Sequence, residues 1–91
     1  MSRQYFEVAA GTAKTSPIAG ADSDCVNALN GCRYVIKYAS DTADDWPTYT
    51  DGKRYLGIEW PVGQPVRVNA GEQITVYAPR KTIIEMHEVG V

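Results

Sequence analysis

Along most of the chain, apolar and polar positions alternate with a period of two, the spacing of half-buried strands, and not with the 3.6-residue period of a helix. Gln4 to Ala9 predicts a first strand, with Phe6 and Val8 on one face and Tyr5 and Glu7 on the other. Arg33 to Ala39 predicts a second, in which Tyr34, Ile36 and Tyr38 alternate with Arg33, Val35 and Lys37. In Arg54 to Trp60 the same rule points Leu56, Ile58 and Trp60 inward, leaves Tyr55 and Glu59 outside, and puts Gly57 where a bulge or a close approach is allowed. Val66 and Val68 flank Arg67, and Ile74, Val76 and Ala78 alternate with Gln73, Thr75 and Tyr77. Asn69, Ala70 and Gly71 between these two runs predict a hairpin, bracketed by Pro61, Pro65 and Pro79, because proline cannot donate to an interior ladder. Lys81 to Val89 ends the series, with Ile84 and Met86 facing the core and Ile83, Glu85 and His87 opposite. A helix competes for this last run, but adjacent isoleucines after a threonine favour a strand.

The pair Asn30-Gly31, set between apolar runs, predicts a type I′ hairpin, whose central residues both need positive φ. Counting outward places Leu29 opposite Cys32, Asn27 opposite Tyr34, Cys25 opposite Ile36 and Asp24 opposite Lys37, an opposite-charge pair. Cys25 and Cys32 would then lie about 13 Å apart, beyond the reach of a disulfide. Free thiols are the preferred reading, and a closed loop between the cysteines competes if the hairpin fails.

Two segments lack periodicity, Ala10 to Ser23 and Ser40 to Gly52. Connections of that length in a small domain usually bind something or move. The second holds Trp46 and Tyr49 among aspartates, where no core pattern demands aromatics, so partner binding and local packing compete as explanations. Tyr55, Tyr77 and Ile83, outward on the strand reading, form either a flat apolar patch suited to oligomerisation or scattered surface positions.

A chain of 91 residues has room for one modest core, so residues 1–91 are expected to fold as a single all-β domain. Its architecture is expected to be a small β-sandwich or jelly-roll-like antiparallel fold with two long loops, and residues 1–9 an N-terminal arm or edge strand. Hydrophobic residues make up 44% and charged residues 22%, the balance of an ordinary globular chain. The net charge of −2 removes the electrostatic footprint of a nucleic-acid binder, and no nucleic acid is expected as partner. No stretch reaches the apolar length of a signal peptide or membrane span, so no membrane association is expected and synthesis in the cytoplasm is.

Candidate chemistry is sparse. His87 is the only histidine, and EMHE at Glu85 to Glu88 lacks the zincin spacing, so a surface or partly packed histidine is the plainer reading. Asp41, Asp44, Asp45 and Asp51 lack the alternation, central glycine and closing glutamate of an EF-hand, and fit solvated turns. Cys25 and Cys32 have no base nearby in sequence, and GIEWPVGQP lacks the lysine and hydroxyl of a P-loop. No residue is assigned to catalysis, a cofactor or a metal, and the chain is not expected to be an enzyme.

The turn and strand VNAGEQITVYAP, Val68 to Pro79, resemble the A-G-E-x-I/L-x-V hairpin of β-sandwich domains in the capsid-decoration and tail-associated proteins of tailed bacteriophages. The resemblance covers Trp60 to Pro79. Within that group the chain looks like a capsid decoration, or cement, protein. It implies a structural virion protein on the outer capsid surface, a dimer or trimer that bridges and stabilises neighbouring major capsid protein subunits. The expected contacts are Arg3, Tyr5 and Phe6 in the arm and Trp46 and Tyr49 in the loop, with Tyr55 and Tyr77 as further partner-binding positions. A tail or head-to-tail adaptor protein of the same kind of particle is the first alternative. A carbohydrate- or peptide-binding β module with Trp46, Tyr49 and Tyr55 as its platform is the second.

Overall fold

In a computed structural model the alternating runs become eight strands, and the structure describes residues 3–38, 46–47, 51–54 and 56–89, with the backbone alone at Arg3 and Tyr38. They are β1 (Arg3–Val8), β2 (Thr12–Thr15), β3 (Ser23–Asn27), β4 (Cys32–Tyr38), β5 (Ile58–Trp60), β6 (Pro65–Val68), β7 (Glu72–Ala78) and β8 (Thr82–Glu88). Two antiparallel four-stranded sheets result, ordered β1-β8-β3-β6 and β2-β7-β4-β5. The expected all-β class is therefore what the chain has. The radius of gyration, 12.4 Å, matches the roughly 12 Å of a single compact unit of this length.

Every connection between consecutive strands changes sheet, except that from β4 to β5. Both predicted hairpins are thereby corrected. β3 pairs with β8 and β6, and β4 pairs with β7 and β5, so Cys25 faces Met86 and Val66 and not Ile36. Asp24 accordingly forms its ion pair with Arg67 at 2.8 Å and not with Lys37. The conformation explains the difference: among the described residues no non-glycine residue has positive φ, and Gly31 does not either, so Asn30-Gly31 is not a type I′ turn.

What holds that corner is a buried polar cluster. Asn27 is fully buried, and its Nδ2 donates to the carbonyls of Asn30 at 2.6 Å and Trp60 at 3.0 Å. Its Oδ1 accepts from the Thr82 hydroxyl, and the Thr82 oxygen accepts the Asn30 N–H at 3.0 Å. The loop end, the end of β5 and the start of β8 are thus tied together by groups that have exchanged water for one another.

Asn69-Ala70-Gly71 does turn, with φ +87 at Gly71 and the Glu72 N–H donating to the Asn69 carbonyl at 3.0 Å. It delivers the chain from β6 in one sheet to β7 in the other, where a hairpin would have kept both in one. Ala10 to Ser23, read as irregular, contains β2, an edge strand paired with β7. β1 pairs with β8 from Arg3↔His87 to Val8↔Thr82, so residues 3–8 are an edge strand and not a free arm.

The core lies between the sheets. Val8, Cys25, Val66, Val68, Ile84 and Met86 come from the first sheet, and Cys32, Trp60, Ile74, Val76 and Ala78 from the second, closed by Ala19. Each large side chain so buried contributes about 1.5–3 kcal/mol relative to an exposed one. β8 alternates as predicted, with Thr82, Ile84 and Met86 inside. β7 does not: Gln73 and Thr75, predicted outward, are buried as well. The outer face of the second sheet is buried at Gln73 and Thr75, where Thr75 shares a 2.8 Å hydroxyl contact with its cross-strand neighbour Thr15 and Gln73 Nε2 donates to the Ser16 carbonyl at 3.0 Å.

Candidate partner-binding surface

Gly57 is the residue that shapes the exposed end of this outer face. Its φ of +76 interrupts the alternation predicted for Arg54 to Trp60, and among the described residues of that run Trp60 alone reaches the core. Leu56 and Ile58, expected inside, are 72% and 58% exposed. A Cβ at position 57 would stand 2.6 Å from Cζ2 of Trp46 and 3.3 Å from the Tyr34 carbonyl oxygen. The absence of that atom lets the indole lie against the backbone, the close approach that a glycine within a strand pattern suggests.

Trp46 in turn meets Tyr77 on β7, with ring centroids 6.0 Å apart and planes inclined by 59°. The Arg54 guanidinium carbon sits 5.6 Å from the centre of the same tyrosine ring, a cation–π contact worth about 0.5–1 kcal/mol at such a site. Arg33 on β4 donates to the Leu56 carbonyl at 3.3 Å and pairs with Glu59 at 3.3 Å. Arg33, Trp46, Arg54, Leu56 and Tyr77 line a groove of about 280 Å³. Its apolar walls suit a flat or hydrophobic group, and its guanidinium rim suits a carboxylate or carbonyl beside it.

The expected contact residues separate. Trp46 and Tyr77 come together in the groove. Tyr5 stands 74% exposed on the outer face of the first sheet, on the other side of the sandwich. Phe6 points inward and packs against the core, while Arg3 occupies the outer-face register of β1. Tyr49 and Tyr55 lie outside the described residues, as do Asp41, Asp44 and Asp45. Tyr77 and Ile83 belong to outer faces of different sheets, so of the two readings, a flat patch or scattered positions, these two residues follow the second. Arg33, Arg54 and Leu56 are not among the contact residues expected from the sequence. Gly57 was their one signal, since the break it makes in the alternation turns Leu56 toward the groove.

The remaining reactive side chains are placed for packing. Cys25 and Cys32 are free, buried and in different sheets. Burial, with a smaller contribution from Asp24, pushes the Cys25 thiol up to about 12, and burial pushes Cys32 up to about 11. Both are therefore neutral thiols near pH 7, without the thiolate that a nucleophile requires. His87 Nε2 contacts Glu85 at 3.1 Å on the outer face of the first sheet, and among the described residues no three His, Cys, Asp or Glu side chains gather around one point. No protein-family model, curated protein or solved structure matches this chain.

Proposed function

We propose that this chain is a structural virion protein of a tailed bacteriophage, a decoration or cement protein that binds the outer capsid lattice through the Trp46–Tyr77 groove. The observation that carries the reading is the way the groove is built: Tyr77 and Arg33 stand on a sheet whose opposite face is the core, and Trp46 and Arg54 lie against the Tyr77 ring. Aromatic and arginine anchors on a rigid support are the residues that dominate protein–protein affinity. The resemblance of VNAGEQITVYAP to phage sandwich domains supplies the kind of partner, the major capsid protein. A module that binds only the assembled shell stabilises that shell by mass action and needs no catalytic step.

The test is binding of purified protein to undecorated shells. Trp46→Ala and Tyr77→Ala are each expected to lower affinity by about tenfold or more, the effect of losing an anchor worth at least ~1.4 kcal/mol, with the strand signature in circular dichroism retained. Undiminished occupancy by both variants would remove the groove from the interface. An aromatic platform beside guanidinium groups also favours a glycan or peptide module as second reading. That reading predicts no shell binding and loss of glycan or peptide binding in the same two variants.

A further inference from the structure

We infer that two copies of this chain pair antiparallel along β1, around a two-fold axis at Tyr5, joining their first sheets into one continuous sheet. The sandwich has four sheet edges: β1 and β6 in one sheet, β2 and β5 in the other. Three of them are poor templates. β6 is four residues long and begins with Pro65, which has no N–H to donate, and β5 has only three residues. β2 has four, enclosed by Gly11 at φ +74 and Pro17. β1 has six residues, none of them glycine or proline, and among the described residues it is hydrogen-bonded to a strand on one side only. An edge of that length without a blocking residue is the feature that invites another strand.

The sequence of β1 selects the partner. Outward-facing amides alternate along an edge strand, so an antiparallel copy can dock only in registers that oppose residues of the same parity. Four such registers are centred inside the strand, and the one on Glu7 sets Glu7 against Glu7 and carries Arg3 past the strand end. With Tyr5 opposite Tyr5 of the second copy, Arg3 opposes Glu7 and Glu7 opposes Arg3, while Gln4 opposes Phe6. Centring on Phe6 instead sets Tyr5 against Glu7 and carries Arg3 past the strand end. Centring on Gln4 sets Arg3 against Tyr5 and carries Glu7 past it. Only the Tyr5 register neutralises both charges, with two symmetric cross-strand pairs flanking a tyrosine pair on one face. Tyr5, 74% exposed in the single chain, then gains an aromatic neighbour. Glu7 has only a loose 3.7 Å contact with Lys81, each of them more than half exposed, and can accept a second cation.

The inference concerns the isolated 91-residue chain and is measured without capsids, so it stands or falls apart from the shell-binding proposal. Sedimentation equilibrium across a concentration series is expected to give a species of twice 10.0 kDa. Glu7→Arg, which sets like charges opposite one another, is expected to raise the dissociation constant about tenfold or more. The charge swap Arg3→Glu with Glu7→Arg restores the pairs and is expected to return it to within about threefold of the original. Circular dichroism checks that each variant is folded. A monomer or trimer at every concentration, a dimer indifferent to Glu7→Arg, or one weakened by Glu7→Arg and not rescued by the swap, each overturns the β1 pairing.

Discussion

Replacing Trp60 with alanine is expected to destabilise the sandwich by about 3–5 kcal/mol, the range for large aromatic truncations in a packed core. Trp60 is 1% exposed and is the one residue of β5 that reaches the core. Its ring meets Tyr34 edge-on at 5.1 Å, and its Nε1 donates to the Gln64 carbonyl at 2.6 Å, holding the turn that leads into β6. Alanine removes the volume, the aromatic contact and the hydrogen bond to Gln64 at once. For a domain whose whole stability is of order 5–15 kcal/mol, that loss leaves little reserve. Each kcal/mol lowers the melting temperature of a chain this size by about 4–8 °C, so a thermal or urea melt reads the effect easily. Trp60→Phe, which keeps most of the volume and loses the hydrogen bond, is expected to cost less than half as much. A loss below about 1 kcal/mol for the alanine variant would mean that β5 is not part of the cooperative core.

The second large effect belongs to Asn27→Leu, expected to cost about 3–5 kcal/mol although the branching and number of side-chain heavy atoms are kept. Leucine cannot donate to the Asn30 and Trp60 carbonyls or accept from Thr82, and it leaves the buried Trp60 carbonyl and Thr82 hydroxyl without these partners. Each buried group left unsatisfied costs about 1–3 kcal/mol. Thr82→Val removes the other half of the same cluster and is expected to cost about 1–3 kcal/mol. Because the two residues share one network, the double variant should be less destabilised than the sum of the singles by at least about 0.5 kcal/mol. Strict additivity in urea melts would contradict the shared network.

That cluster also marks where sequence reasoning stopped being sufficient. Alternation located β1, β4, β7 and β8, because period two depends only on each strand having an inner and an outer face. Sheet membership depends on which face of which neighbour is free, and a turn such as Asn69-Ala70-Gly71 looks the same whether it closes a hairpin or rounds the corner of a sandwich. Asn27 was read as an ordinary strand position. Its role requires Asn30, Trp60 and Thr82, which are brought to it from three separate places in the chain. β7 misled for a related reason, since on its second face Gln73 and Thr75 are buried where alternation predicts exposure.

The groove was legible in fragments. Trp46 stood out as an aromatic with no core pattern to explain it, Tyr77 as an outward tyrosine on a strong strand, and Gly57 as a place for a close approach. Their meeting depends on the positive φ at Gly57, which turns Leu56 away from the core and admits the indole. The free thiols were expected from a hairpin that does not form; in the structure both are free and buried, Cys25 in the first sheet and Cys32 in the second.

The functional proposal makes one demand on the particle itself. A decoration protein occupies a lattice site repeated over the whole shell, whereas a tail or head-to-tail adaptor occupies a single ring or vertex. Quantitative mass spectrometry of purified virions, calibrated against the major capsid protein, measures the difference directly. On the order of hundreds of copies per particle, released together with shell stability, is the predicted result, because mass-action stabilisation of a lattice requires its sites to be filled. A dozen copies or fewer, or none, would contradict it.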